Sequence, residues 1–505
     1  MRPRPDKDQP SCFDGIGREK VSGTAIAGQS RLSGVNPAPS ATQKRGKWSL
    51  SRLLGLRATL PAVPTTIESL DRERQLIRLQ IVTLTLLFCG YAAYYFCRSD
   101  FSVALPLLID ELHRHGMNTK LATVRLGALA SFGVLAYAMG KFLLGGLGDL
   151  WGGKRSLLIG LSGAVAATVL FTLGGGLPVF TIAWIANRLV QSMGWAGAVK
   201  VCSKWFAYTS YGIALGILSL SFLAGDALAR ESMGLLIQAG LGWRALFYFA
   251  AAVALLVLIV NVWMLRESRV ELGFSEPQVN PLNAFVHDRA GEVSNLQSFL
   301  RPLLTSRAFW LVCVLSLGTT IVRETFNTWT PTYLHQLFHF AEADSAQMSA
   351  LFPATGVVSV LIAGWAGDKL GAAGRAVLFT LGLAITVVAL AAMTVAPHVH
   401  PGAWPEVLLC LAALGLLGPY SYLAGAMALD FGGRKGGATA SGIIDGVGYL
   451  GAMLAGDPVA RLATSLGWQS VFGALAALSS VCVGVGGALY LMERRQLRES
   501  YSGFQ

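Results

Sequence analysis

The sequence predicts an all-α integral membrane protein of twelve transmembrane helices in two pseudo-symmetric six-helix halves. Three observations carry this. The 505-residue chain is 53% hydrophobic and 13% charged, where a soluble domain carries about 25% charged residues. Apolar runs of about 20 residues, enough to cross a bilayer, recur along its length. Residue patterns also repeat at one offset: Arg98-x-x-Phe101-x-x-x-x-Pro106 returns as Arg323-x-x-Phe326-x-x-x-x-Pro331, and Leu241-Gly242-Trp243 as Leu466-Gly467-Trp468, both pairs 225 residues apart (323 − 98 and 468 − 243).

Lipid offers no partner to an unpaired backbone, so only helices or closed barrels span it, and runs of this length are helices. Candidate spans fall near 80–108, 122–148, 156–174, 178–200, 211–238, 245–266, 308–338, 346–366, 375–396, 404–428, 437–462 and 469–492. Residues 1–75 are rich in Pro, Ser, Gly and Arg without apolar periodicity, which predicts a disordered cytoplasmic tail. The charged stretch 67–80 leads along the membrane surface into the first helix. The organisation that follows is an N-terminal six-helix bundle (76–266), a polar cytoplasmic linker (267–305), a C-terminal six-helix bundle (306–493) and a short cytoplasmic tail (494–505).

The net charge of +12 invites a nucleic-acid reading, but its placement argues against one. Lys154-Arg155, the 267–305 linker, Lys369, Arg375, Arg434-Lys435 and Arg494-Arg495 all fall on one side of the predicted topology. That is the positive-inside pattern, with both termini cytoplasmic, and it predicts a multi-pass protein of a bacterial inner membrane. Seven scattered cysteines without a CxxC pair, and the histidine pairs His113/His115 and His398/His400, which read as solvated loop residues, predict no metal and no cofactor. Gly446-x-Gly448-x-x-Gly451 follows no strand, so it is no dinucleotide loop. No nucleophile–base pair points to an enzyme.

A second repeated element follows the second and eighth spans. Gly145-x-x-Gly148-Asp149, with Lys154 and Arg155 beyond it, matches Gly364-x-x-Gly367-Asp368-Lys369, with Arg375 beyond. Small residues let helices approach closely, and an Asp facing Lys or Arg at a helix end predicts a cytoplasmic charge latch.

The chain over about residues 75–495 resembles the major facilitator superfamily, whose cytoplasmic loop motif has this form. Within it, Gly90-Tyr91-Ala-Ala-Tyr94-Tyr95-Phe-Cys-Arg98-Ser-Asp-Phe101 is similar to the first helix of the organophosphate:phosphate antiporter family. Lys141-Phe142, Met193-Gly194-Trp195 through Lys200 to Trp205, Arg323 through Trp329-Thr-Pro331, Gly418-Pro419 and Gly442 through Gly451 agree with it in order. The resemblance implies that Arg98 and Arg323 bind the substrate phosphate. It also implies that Tyr91, Tyr94, Tyr95, Tyr137 and Lys141 line the same cavity; Asn327, on the polar stripe of Arg323, and Trp329, in the matching motif, are expected to join them. Ser99, Phe222, Thr328 and Pro353 stand where glycerol-3-phosphate transporters carry lysine, histidine and two acids, which argues against glycerol-3-phosphate itself.

The residues support this independently. Tyr91, Tyr94, Tyr95 and Arg98 are spaced i, i+3, i+4, i+7 and share a helix face. Thr319, Thr320, Arg323, Asn327 and Thr330 form a second polar stripe, and Tyr137 lies one turn before Lys141. A cation at the bilayer centre costs about 2.5–3.5 kcal/mol on insertion scales, so one kept there has a role. Asp100 and Glu324 sit out of phase with Arg98 and Arg323, which predicts that they do not neutralise them. Lys141 either lines the cavity or snorkels to the interface. Arg188 and Lys200 read as topogenic or structural, and Asp226–Arg230 as an i, i+4 ion pair; Asp445 is unassigned. The predicted function is exchange of an organic phosphate ester for inorganic phosphate by a monomer in the lipid bilayer. A membrane sensor working with a histidine kinase and a proton-coupled organic anion symporter are the alternatives.

Overall fold

The computed structural model describes residues 67–144, 151–277, 303–395, 402–423 and 427–502, and among them it is helical with no strand. The first half runs α1 (Ile67–Arg114), α2 (Thr119–Leu144), α3 (Gly153–Leu173), α4 (Leu177–Gln191), α5 (Met193–Trp205), α6 (Tyr208–Gln238) and α7 (Trp243–Met264), then a 3-10 turn at Arg269–Leu272. The second half runs α8 (Arg307–Phe338), α9 (Glu342–Ser349), α10 (Leu351–Val395), α11 (Trp404–Tyr422), α12 (Ala428–Ala452), a 3-10 turn at Met453–Ala455, α13 (Asp457–Leu466) and α14 (Trp468–Ser502). Together they make twelve traverses. The end where α1 starts is called the terminal end below. The end carrying the tight turns at Gly116, Gly240, His339 and Gly467, all at positive φ, is the loop end.

Among the described residues, ten stretches are long and apolar enough to cross a membrane. The two predicted spans that fall short, 178–200 and 437–462, are each broken. The first divides at Ser192 into pieces of 15 and 13 residues, each too short to span alone at 1.5 Å per residue; Ser192 Oγ binds the Leu189 carbonyl there at 2.6 Å. The second breaks at Met453–Gly456, where Gly456 is pressed against Gly127 and Ser131 of α2.

Two boundaries differ from the prediction. Helix α1 begins by Ile67, inside the stretch expected to be disordered, because Glu68-Ser-Leu-Asp-Arg-Glu-Arg-Gln-Leu is made largely of good helix formers continuous with the apolar run. Helix α14 continues past 492 into the expected tail. Within Leu351–Val395 the chain reverses. Ser359 and Ala363 lie along Gly418 and Tyr422 of α11, whereas Gly382 and Thr386 run back along Pro419 and Gly415. The eighth and ninth spans are therefore antiparallel, as predicted.

The repeat is visible in register. Arg98 lies 16 residues before the end of α1 (114 − 98) and Arg323 lies 15 before the end of α8 (338 − 323). Both Gly-Trp pairs start a helix, at Trp243 and Trp468. Both long helices contain an interior proline, Pro106 and Pro331. Pro331 has no N–H, so the carbonyl four residues back loses its helical donor. That carbonyl belongs to Asn327, and it accepts from Ser102 Oγ of α1 at 2.8 Å and Arg230 Nη2 of α6 at 2.7 Å. A backbone defect in one half thus becomes an acceptor for the other.

Among the described residues, contacts between the halves gather toward the loop end. Ser131 Oγ donates to Met453 O and accepts from Asp457 N. Arg230 reaches Ser349 Oγ at 3.2 Å. Gly127 is packed so tightly that a Cβ would lie 2.5 Å from that of Ala460. The molecule is closed at this end.

At the terminal end, Glu267 ties the start of α3 to Lys204. Its carboxylate accepts from the backbone N–H of Gly153 and Lys154 at the start of α3, at 2.8 and 2.7 Å, and from Lys204 Nζ at 2.7 Å. An anion here meets the unpaired N–H groups and the positive end of the helix dipole. Lys154 Nζ binds the Val262 carbonyl, and Arg155 is exposed. Gly145 and Asp149 lie outside the described residues, as do the side chains of Asp368 and Lys369. Gly364 is exposed, with open space where a Cβ would stand. The close approach expected of it is made instead by Gly367, against Tyr422.

Two outcomes follow. Glu267→Gln should cost about 1 kcal/mol of stability at neutral pH, the usual worth of a cap, measured by chemical denaturation in detergent. Burial alone would raise the Glu267 carboxyl, but the bonds from Lys204, Lys154 and Gly153 outweigh it and hold the group below its ordinary value. Its contribution is therefore full above about pH 4.3 and lost as pH falls through the lowered value, so wild type and variant should converge in acid. Gly127→Val should wedge the halves apart, and disulfide trapping between Ser131→Cys and Met453→Cys should become at least about tenfold slower, since overpacking costs about 1–3 kcal/mol.

Candidate functional site

Helix α1 is bent at Cys97, whose φ of −81° and ψ of 17° leave the helical range, one residue before Arg98. Between the halves lies a cavity of about 40 Å³ lined by Tyr95, Arg98, Arg188, Asp226, Arg230, Glu324 and Asn327, among others. A buried water needs about 10–15 Å³, so this space holds about three waters and no sugar phosphate; the conformation is closed around its charges. A smaller adjoining cavity shares Tyr95, Asp226 and Asn327 and adds Phe222 and Arg323.

Each cation is compensated differently. Arg98 Nη1 donates to Tyr95 Oη at 3.3 Å, and its guanidinium lies over the rings of Tyr95 and Tyr137 at 5.1 and 4.8 Å. Arg323 Nη2 binds Glu324 Oε1 at 2.5 Å and its guanidinium covers Tyr420 at 4.6 Å. Arg188 lies over Tyr137 and Trp184 at 5.1 and 5.7 Å. Two buried donors, Arg188 Nη1 and Arg323 Nε, have no hydrogen-bond partner among the described residues. An unpaired buried donor is costly, and here such donors come from opposite halves. Arg230 is by contrast fully used: it binds Asp226 Oδ1 at 2.8 Å, Asn327 O, Ser349 Oγ and, at 3.4 Å, Ser102 Oγ.

The sequence-predicted residues divide into three groups. Arg98, Tyr95 and Asn327 face the main cavity, and Arg323 faces the adjoining one. Tyr137 and Lys141 form a charged and aromatic layer beside it, toward the terminal end. Lys141 Nζ meets Asp445 Oδ2 of α12 at 2.5 Å and lies over Tyr449 at 4.4 Å, while the Tyr137 and Tyr449 rings are 5.1 Å apart. Lys141 therefore bridges the halves rather than snorkelling, and Asp445 gains a partner. Tyr91, Tyr94 and Trp329 line neither cavity. Tyr91 packs on Trp195 at 5.1 Å. Tyr94 presses on Gly194 and gives its hydroxyl to Leu157 O at 2.5 Å. Trp329 is fully buried, with Nε1 on Ala455 O at 2.7 Å and its ring against Gly127. The tyrosine stripe is wider than the cavity, so only its Tyr95–Arg98 edge reaches it. In the second stripe Thr319, Thr320 and Thr330 return their hydroxyls to carbonyls of their own helix.

One phase argument fails: Glu324 does pair with Arg323, because two long side chains on successive residues can curl toward each other. Asp100 does not pair with Arg98; its Oδ1 accepts from Phe101 N at 2.7 Å. Ser99, where glycerol-3-phosphate transporters carry lysine, donates to Asp226. Arg188 was read as topogenic or structural yet lines the cavity, and its place in an apolar run between Trp184 and Gln191 was the available signal. Asp110, His335 and Glu342 bring ligand-type atoms within 4.8 Å of one another, away from the cavity lining.

A twelve-traverse helical bundle with a charged cavity between two repeated halves defines the architecture of a membrane transporter. The chain belongs to the Major Facilitator Superfamily, whose model matches residues 87–456. It is 27% identical, over 79% of its length and 88% of the other's, to the probable hexose phosphate transport protein of Chlamydia pneumoniae. It is 25% identical to the glycerol-3-phosphate transporter of Bacillus subtilis (strain 168), over 74% and 84% of the two chains. It is also 25% identical to the membrane sensor protein UhpC of Escherichia coli (strain K12), over 81% and 90%. Among solved structures it superposes on a bacterial homolog of the human lysosomal transporter Spinster, inward-facing and unoccupied (TM-score 0.60, 17% identity, 83% of this chain and 97% of that one). It also superposes on the peptide transporter POT in complex with sulfate (TM-score 0.63, 15% identity, 82% and 94%). Both share the fold. Family membership sets aside an enzymatic role.

The Lys141–Asp445 contact can be tested by charge exchange. Lys141→Asp should leave two carboxylates facing each other and lower the thermal midpoint in detergent. The double swap Lys141→Asp/Asp445→Lys should recover at least half of that loss; no recovery would mean that the two side chains do not interact.

Proposed function

We propose that this protein is a secondary transporter that exchanges an organic phosphate ester for inorganic phosphate by alternating access. The observation that carries the reading is the pair of guanidiniums at repeated positions, Arg98 and Arg323, around two adjoining cavities, the larger of which Arg188 also lines. A guanidinium offers a planar fork of donors that matches phosphate oxygens bidentately and stays protonated. The unpaired N–H groups of Arg188 and Arg323 are donors an anion would satisfy. The relatives named for hexose phosphate and glycerol 3-phosphate transport support the same ligand class.

Arg98, Arg323, Tyr95 and Asn327 would contact the ligand, with Tyr137 and Lys141 beside them. Tyr91, Tyr94 and Trp329 would shape the walls from behind. The empty site holds an excess of positive charge, which disfavours the closed state; a bound dianion removes that excess and lets the halves rock. Exchange follows, because the loaded carrier crosses more easily than the empty one. The basic loops support a reading with both termini in the cytoplasm of a bacterial cell, in which the closed loop end faces outward. The protein works as a monomer. Proton symport through Asp226 is not retained, since Arg230 and Ser99 occupy that carboxylate.

The test is exchange of labelled inorganic phosphate in phosphate-loaded liposomes, competed with sugar phosphates. Arg98→Ala, Arg188→Ala and Arg323→Ala should each lower exchange about 30-fold or more, since losing one partner of a buried charge pair costs about 2–5 kcal/mol. Arg→Lys should also impair it, because the fork is lost. Undiminished exchange in Arg98→Ala or Arg323→Ala would sink the reading. The relative named as a membrane sensor supplies a second reading: ester binding lost in Arg98→Ala, with no exchange by the wild type, would favour it.

A further inference from the structure

The charges around the two adjoining cavities do not balance. Four guanidiniums (Arg98, Arg188, Arg230, Arg323) face two carboxylates (Asp226, Glu324). Asp226 and Arg230 neutralise each other at 2.8 Å, and Lys141 and Asp445 form a closed pair beside the cavity. The balance therefore rests on three guanidiniums and Glu324, and two positive charges are left over.

Glu324 is placed to matter. It is 4% exposed, lines the cavity that Arg98 and Arg188 enter from the other half, and is steadied by Arg323 at 2.5 Å and by Asn327 Nδ2 at 3.3 Å. An uncompensated charge in a site walled off from water interacts far more strongly than in bulk solvent. The ligand's total charge, and not only its phosphoryl group, then decides how well the site closes over it.

We propose that Glu324 sets the charge of the accepted ligand. It cancels one of the three guanidiniums, so the site is neutral when it holds a dianionic phosphate monoester. A trianionic ester, whose carboxylate adds a third charge to the phosphoryl group, leaves it in excess. The inference rests on the organophosphate reading above and narrows it: sugar phosphates are favoured and phosphoglycerates are rejected.

The experiment is displacement of labelled inorganic phosphate from the purified full-length protein by glucose 6-phosphate and by 3-phosphoglycerate. Wild type should prefer the sugar phosphate. Glu324→Gln should move the ratio of the two affinities at least tenfold toward 3-phosphoglycerate. Asn327→Asp, which adds a negative charge beside Glu324, should move it at least tenfold the other way, and keeps the test open if the glutamine variant folds poorly. An unchanged ratio would overturn the proposal. Equal weakening of both esters in Glu324→Gln would do the same, marking Glu324 as a residue that only positions Arg323. Wild-type protein from which neither ester displaces phosphate would fail the organophosphate reading itself.

Discussion

Charge that has left bulk water must be met by something, and the centre of this molecule is organised around that requirement. Arg230 is met completely, by a carboxylate, two hydroxyls and a backbone carbonyl. Arg323 is met by one carboxylate and a ring face, and Arg98 by a phenol and two ring faces. Arg188 has ring faces and an unpaired N–H. A cation–π contact is worth about 0.5–2 kcal/mol, less than a buried ion pair, so the series runs from a cation spent on structure to one still open to an anion. Completeness of compensation separates the structural arginine from those proposed to bind the ligand better than burial does, since Arg230 and Arg188 are both almost fully buried.

The fold was largely legible. Long apolar runs marked the spans, and the repeated Arg-x-x-Phe and Gly-Trp patterns marked two halves whose helices start, and carry an interior proline, at matching places. What the pattern hid was continuity. A hydropathy run does not report a break, so the Ser192 and Met453–Gly456 interruptions were invisible.

The site was legible where its residues repeat and obscure where they pair at a distance. Arg98 and Arg323 announce each other. Lys141 and Asp445 are 304 residues apart, and no local spacing relates them. Glu267 caps a helix 113 residues earlier from within a stretch that reads as linker. Helical phase also misled in both directions. It put Tyr94 on the cavity face, although the small residues Gly160 and Gly194 draw its ring into the wall. It separated Glu324 from Arg323, although both side chains are long enough to meet. Phase describes where a Cβ points, and functional atoms four or five bonds further out are not bound by it.

Pro331 carries a consequence for wear and reversibility. In an intact helix, a carbonyl that also served a neighbouring helix would share its electrons between two donors, and parting the helices would return it to the first. At Asn327 there is no first donor. The joint between the halves is made on a fitting that nothing else in α8 uses, so it can be uncoupled and left to water without loosening the rod that bears it. If the halves alternate as proposed, parting and rejoining along one line many times, they gain from hinging on a built-in vacancy, because neither half then has to soften for the other to move.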